Sequence, residues 1–212
     1  ILGGWGMTET SPAGTNIPRG RGDKVGTIGV PLPGIYMDIV ALDDPKCVLP
    51  QGETGELRIF GDNVTKDYLN RENEHDLFFS DGGFLTGDIG FIDGEGFFTI
   101  VDRKKDMIIT GGFNVYSVEV EAAVMAHPAV QDCAVIGIPD DVWGESILAV
   151  VELRPGAAVE PEHLIRFCRA RIGAMKSPRR IEFVETLPRS AVGKLLKRTL
   201  REQYWQRHRR AV

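Results

Sequence analysis

Cysteine is scarce in this chain: Cys47, Cys133 and Cys168 are the three thiols among 212 residues. An odd count without paired spacing argues against a disulfide framework or a cysteine-based zinc site. The expectation is three buried or half-buried thiols in a reducing cytoplasm. Long apolar runs are also missing. The longest, at 133–138 and 147–151, fall well short of the roughly 18 residues that a spanning helix needs. No transmembrane segment is expected, and peripheral contact with a membrane stays open. Residues 1–9 lack the basic n-region and small-residue cleavage site of a secretory signal. Neither sign of charge dominates, with 25 Lys and Arg against 30 Asp and Glu, and 42% of the residues are hydrophobic. Such a composition excludes a disordered, collagenous or coiled-coil chain.

Familiar catalytic signatures are absent as well. There is no HExxH, CxxC or GxSxG, and the four histidines are scattered. Gly4-Trp5-Gly6 opens like a dinucleotide fingerprint, but Glu9 stands where the third glycine belongs. Gly193-Lys194 opens like a P-loop, but Pro188 replaces its first glycine and Leu195 its magnesium-binding hydroxyl. His127 reads as a helix-end residue, since no partner is in place to orient it for catalysis. The basic tail Arg207-His208-Arg209-Arg210 reads as a solvated helix end, because no aromatic-interleaved patch marks a nucleic-acid surface.

What is present divides the chain in two. Residues 1–102 carry seven basic and seventeen acidic side chains, residues 103–212 eighteen and thirteen, and 20 of the 25 glycines precede Phe113. The break points to two units joined within the charge cluster Asp102-Arg103-Lys104-Lys105-Asp106. The first half reads as short strands at 27–30, 35–41 and 56–60, then a hairpin of 90–92 and 97–101 turning through Asp93-Gly94-Glu95-Gly96, with Asp-Gly as the turn signal. In the second half Ser117 is expected to cap a helix running to about Ala126, ended by His127-Pro128, with Glu119 and Glu121 in its first turn. Strands follow at 133–138 and 147–153. A helix opens near Pro161 with Leu164, Cys168 and Ile172 on one stripe. A strand at 180–184 and a basic helix from about Leu195 complete a β-rich module followed by a small α+β domain.

Four segments carry chemistry in their residue types. Gly4-Trp5-Gly6-Met7-Thr8-Glu9 sets an aromatic ring beside a hydroxyl and a carboxylate, groups suited to a base, a phosphate and a divalent ion. Leu85-Thr86-Gly87-Asp88 presents a carboxylate that can accept from both hydroxyls of a ribose. Residues 101–115 pass from a charged connector through an apolar strand to the turn Gly111-Gly112. Leu187-Pro188-Arg189-Ser190-Ala191-Val192-Gly193-Lys194 is a flexible loop offering one lysine to a polyanion.

In this order the segments resemble the adenylate-forming superfamily of acyl- and aryl-CoA synthetases, luciferases and peptide-synthetase adenylation domains. Glu53-Thr54-Gly55-Glu56-Leu57-Arg58-Ile59 with Lys66-Asp67-Tyr68-Leu69 is similar to the family's GEL…KGY segment, with Asp67 where glycine is usual. The residues from His127 to Gly144-Glu145 also fit. The resemblance covers the family's C-terminal part, without its Ser/Thr/Gly-rich phosphate loop, so position 1 looks like a cut in a longer polypeptide. It implies a truncated mixed α/β fold. Residues 1–102 would be a β-rich, distorted barrel-like part of the large domain, 103–106 the hinge, and 107–212 a small mobile α+β domain.

The resemblance also implies roles. Trp5 and Gly6 would pack on adenine, Thr8 would meet the α-phosphate and Glu9 would ligate Mg²⁺. Asp88 and Arg103 would hold the ribose, Lys194 would bridge the substrate carboxylate and α-phosphate, and Lys105 would be the hinge residue. Gly111 and Gly112 would let the pantetheine of coenzyme A pass close to backbone. ATP or AMP, Mg²⁺, coenzyme A and a carboxylic acid are the implied ligands, with no nucleic-acid partner. Residues 112–116 look more like fatty-acyl-CoA synthetases than peptide-synthetase domains. An aryl acid, or a fragment that binds nucleotide without turnover, remains an alternative. Acid, chain length and oligomeric state are not encoded in what is present.

Overall fold

A computed structural model of the chain describes residues 3–68, 77–79 and 81–211, with side chains as far as Gln206. Leu69 of the Lys66–Leu69 segment, His75 and the side chains of the basic tail lie outside the described residues. The chain divides into two compact units, Ile1–Lys104 and Lys105–Val212.

In the first unit β1 (Gly4–Trp5), β2 (Thr15–Asn16) and β3 (Val30–Pro31) form a small antiparallel ribbon in that order. Next, β4 (Tyr36–Val40), β5 (Gly55–Phe60), β6 (Phe84–Ile92) and β7 (Phe98–Arg103) form an antiparallel sheet in chain order. Met37, Ile39, Leu57, Ile59, Phe84 and Phe98 make its core, with Trp5 and Met7 packed against them. Strands β4 and β7 are the edges and do not pair with each other. The sheet is therefore open, where a barrel-like closure was expected.

Two local expectations are also revised. Of 27–30 only Val30 joins a strand. Gly29 (φ +91°) turns the chain there, and a Cβ on it would sit 2.1 Å from the Asn16 carbonyl. In the β6–β7 turn the left-handed residue is Gly96 (φ +86°), not Gly94, because the Asp93 carboxylate accepts the Glu95 and Phe97 N–H groups and shapes the loop itself.

The second unit runs β8 (Ile108–Thr110), β9 (Phe113–Val115), α1 (Ser117–Met125), β10 (Val130–Asp140), β11 (Gly144–Leu153), α2 (Pro161–Lys176), β12 (Arg180–Val184) and α3 (Lys197–Ala211). Its sheet has the order β10-β11-β8-β9, with β12 parallel to β11. The apolar runs at 133–138 and 147–151 are explained by burial on both faces. Cys133 and Val135 pack with Val120, Leu164 and Cys168 from α1 and α2, whereas Ala134, Ile136 and Ile138 pack with Leu187 and Leu200 of the loop and α3. The period of two sends alternate side chains to different layers.

Helix α1 starts at Ser117, so Tyr116 occupies its N-cap position. The Ser117 hydroxyl is buried and accepts from the Lys197 ammonium at 2.8 Å. It is thus a tie to α3 rather than the expected cap. Pro161 occupies the first turn of α2, and Gly173 (φ +77°) breaks that helix before its end. Helix α3 begins two residues later than expected, because Leu195 is held in a bridge to Arg189.

Cys133 and Cys168 are buried, and Cys47, expected to be covered, is exposed. Burial pushes the Cys168 thiol up to about 11 and that of Cys133 higher still. Neither is a nucleophile at neutral pH. No helix among the described residues is long and apolar enough to cross a membrane.

Candidate functional site

The Thr86-Gly87-Asp88 segment is a bulge. Strand β6 pairs Leu85 with Arg58 and Ile89 with Glu56, leaving residues 86–88 opposite Leu57 alone. Thr86 closes it from within: its hydroxyl donates to the Leu57 carbonyl (2.9 Å) and accepts the Asp88 N–H (3.1 Å). Gly87 takes a left-handed φ of +74°. The Glu56 carboxylate holds the bulge from the neighbouring strand, accepting the Gly87 N–H at 3.2 Å and pairing with the Lys104 ammonium at 2.7 Å.

The bulge aims Asp88 at two partners. One carboxylate oxygen accepts from the Trp5 indole N–H at 2.8 Å. The other lies 3.9 Å from Nε of Arg103, directly across on β7. Trp5 is half-buried, and its ring lies so close to Gly14 that a Cβ there would come within 2.6 Å. Trp5, Asp88 and Arg103, predicted from distant parts of the sequence, therefore form one cluster.

Thr8 and Glu9 form a single 3₁₀ turn, Thr8–Thr10, after β1. Gly6 is obligatory there, since a Cβ would fall 1.4 Å from the Pro12 carbonyl. Ser11 leaves the turn in a left-handed conformation (φ +55°) that costs a non-glycine residue energy. Residues 61–68 brace the loop. Asn63 Nδ2 donates to the Thr10 and Ala13 carbonyls at 2.7 and 2.6 Å, and the Ser11 hydroxyl donates to the Asn63 carbonyl at 3.0 Å. The Tyr68 hydroxyl donates to Glu9 Oε1 at 2.5 Å. Among the described residues no three metal-ligating side chains gather. A single carboxylate such as Glu9 still fits Mg²⁺, which usually takes one or two carboxylates plus phosphate oxygens and keeps several waters. Thr8 is exposed.

The remaining predicted residues belong to the second unit. Lys194 is exposed, and its ammonium has no partner among the described residues. The loop around it is nevertheless ordered: Lys194 N–H donates to Ser190 Oγ (3.1 Å), Ser190 N–H donates to the Lys194 carbonyl (2.8 Å), and Gly193 adopts φ +80°. Gly111 and Gly112 form the tight β8–β9 turn at φ +57° and +80°. A Cβ on Gly111 would come within 2.5 Å of the Trp143 ring, whereas Gly112 faces open space. Lys105 opens the unit and is exposed.

Several contributors escape a reading of sequence alone. Glu56 is a charged residue inside an apolar strand, a signal that marks a buried polar partner without naming it. Asn63 and Gly14 act only through long-range contacts and leave no local trace.

Residues 1–69 match the AMP-binding enzyme family, and residues 119–194 match the AMP-binding enzyme C-terminal domain. The chain belongs to the adenylate-forming, AMP-binding enzymes. It is 41% identical to a long-chain-fatty-acid–CoA ligase of Bacillus subtilis (strain 168), over 98% of this chain and 37% of that protein. A feruloyl-CoA synthase of an Amycolatopsis species is 39% identical, over 95% of this chain and 41% of that one. Among solved structures, ATP-bound MatB from Rhodopseudomonas palustris superposes with a TM-score of 0.88 at 38% identity, over 96% of this chain and 40% of MatB. The chain thus spans about two fifths of the length of the relatives it matches.

Proposed function

We propose that the chain is the C-terminal portion of an acid–CoA ligase that joins a fatty acid to ATP, releases pyrophosphate, and passes the acyl group from AMP to coenzyme A. The carrying observation is the Asp88 carboxylate, set by a strand bulge between the Trp5 indole and the Arg103 guanidinium. In this reading the carboxylate accepts from the ribose hydroxyls while Trp5 and Gly6 pack on the adenine. Arg103, with Nε 3.9 Å from the Asp88 carboxylate, adds a donor to the sugar.

Attack of a carboxylate on a phosphate brings two anions together, so catalysis rests on offsetting charge in the transition state. The first half of the chain is acidic, so cations must be brought to it. Glu9, held by Tyr68, would ligate Mg²⁺, which when bound neutralises phosphate charge. The Thr8 hydroxyl would contact the α-phosphate. Lys194, on an ordered loop with an ammonium that has no partner among the described residues, would bridge the α-phosphate and the substrate carboxylate. For the second step the second unit would reorient about Lys105. Gly111 and Gly112 would then offer side-chain-free backbone to the pantetheine.

A fatty acid is supported by the 41% identity to a fatty-acid ligase, and an aryl acid by the 39% identity to a feruloyl-CoA synthase. The test is an acid panel. The full-length polypeptide that carries this chain is assayed with ATP, Mg²⁺ and coenzyme A for pyrophosphate and thioester, against medium- and long-chain fatty acids and hydroxycinnamates. Thioester from fatty acids is expected. Turnover of hydroxycinnamates alone would replace the substrate assignment, and nucleotide binding without pyrophosphate release from any acid would overturn the ligase reading.

A further inference from the structure

Lys104 and Lys105 stand where one unit ends and the other begins. Each is tied into its own unit. The Lys104 N–H donates to the Gly87 carbonyl at 2.8 Å, and its ammonium meets Glu56 Oε2 at 2.7 Å. Glu56 is only 1% exposed, and its other oxygen takes the Gly87 N–H, so one buried carboxylate serves both the bulge beside Asp88 and the last residue of the unit. In the second unit the Lys105 carbonyl accepts from Arg201 Nη1 of α3 at 2.9 Å. The same guanidinium pairs through Nη2 with Glu145 Oε1 at 2.8 Å, and Glu145 Oε2 takes the Ile109 N–H at 2.9 Å. Glycine at 137 makes room, since a Cβ there would lie 2.6 Å from Glu145 Oε2.

We propose that Glu56 and Arg201 are positioning residues that bring the two rigid parts to an end at adjacent residues. Reorientation is thereby confined chiefly to ψ of Lys104 and to φ and ψ of Lys105. The inference rests on the hinge role given to Lys105 above. Its physical content is that a pivot of so few torsions admits few arrangements, whereas a loosened connector spreads the motion over many. Because Glu56 also holds the Gly87 amide, the end of the first unit and the carboxylate assigned to ribose share one support.

Arg103, Lys104 and Lys105 are three consecutive tryptic sites, so local opening can be read without substrate. In the 212-residue chain, Glu56→Gln and Arg201→Gln are each expected to raise cleavage after Lys105 by about fivefold while lowering the melting temperature by no more than about 4 °C, the scale of losing one partly exposed ion pair. Arg198→Gln, on the same helix but paired with Glu202, should leave cleavage unchanged. Arg201→Lys should fall between, because an ammonium does not span both acceptors as the guanidinium fork does. Should Glu56→Gln lower the melting temperature by more than that, Lys104→Met removes the same pair from its exposed end and is judged by the same criterion. Cleavage equal to that of the parent chain in both the pair-breaking and the Arg201→Gln variants overturns the proposal. In the full-length polypeptide the same variants should change the ratio of thioester formation to adenylation. Absence of any ligase activity would sink the functional reading while leaving the cleavage result to decide this one.

Discussion

At the scale of single residues, charge placement follows from what each carboxylate or cation costs to bury. Glu56 is enclosed by strand side chains, and a buried charge persists only when a cation and N–H donors meet it; Lys104 and the Gly87 amide do so. Asp88 and Glu9 are different, each half-buried with an aromatic side chain donating to one carboxylate oxygen. Lys194 is the converse, an exposed cation with no internal partner among the described residues. A cation used only in the adenylation transition state leaves a specific kinetic signature. Lys194→Ala is expected to slow adenylation by about 10²–10³, equivalent to roughly 2.7–4 kcal/mol of electrostatic stabilisation. Thioester formation from preformed acyl-adenylate should be nearly unaffected. Separate measurement of the two half-reactions checks this, and equal loss in both would refute the role.

At the scale of elements, irregularities do more than regular structure. The β6 bulge turns Asp88 toward Trp5, and the interruption at Gly173 ends the regular part of α2. Helices α1 and α2 meet at His127, whose ring stands edge-on to His163 and Phe167 at centroid distances of 5.7 and 4.8 Å. Its Nδ1 accepts the Ala129 N–H at 3.2 Å, so the neutral ring fits this place. Burial, and then the charges of His163 and Arg171, hold its pKa below the ordinary 6.5. Since the folded value lies below the unfolded one, the unfolded chain binds the proton more readily. Stability is full above about pH 6.5 and declines as the pH falls through that value. The melting temperature of the chain should therefore drop between about pH 7.5 and about pH 5.5, and His127→Gln should flatten that slope. An unchanged slope in the variant would remove His127 as its origin.

At the scale of the molecule, the basic end of the chain looks from its composition like a polyanion-binding surface, with 14 basic and 3 acidic residues over 166–212. Much of that charge is spoken for. Lys176 pairs with Glu119, Lys197 with Glu121, Arg201 with Glu145 and Arg189 with Asp132, acids that lie earlier in the chain. Arg180 and Arg198 pair with Glu182 and Glu202. Binding to duplex DNA grows with the number of free cations that displace counterions. The expected outcome is no saturable binding of the chain to duplex DNA at about 0.15 M salt by fluorescence anisotropy. Tight binding with a steep salt slope would contradict this accounting.

Read alone, the amino-acid order was enough for the mixed α/β class, most strands and helices, and the residue types of each chemical segment. Those properties are written locally, in side-chain period, in proline and glycine, and in short runs of functional groups. It did not reveal that Thr86-Gly87-Asp88 is a bulge, that the N-cap position of α1 falls at Tyr116 rather than Ser117, or that the four-stranded sheet stays open. Nor did it show that Glu56, Asn63, Gly14 and Arg201 support the predicted residues. Strand register, burial on both faces of a sheet, and the meeting of a carboxylate with a cation 48 positions away are set by packing between distant segments. Only the tertiary structure could decide them.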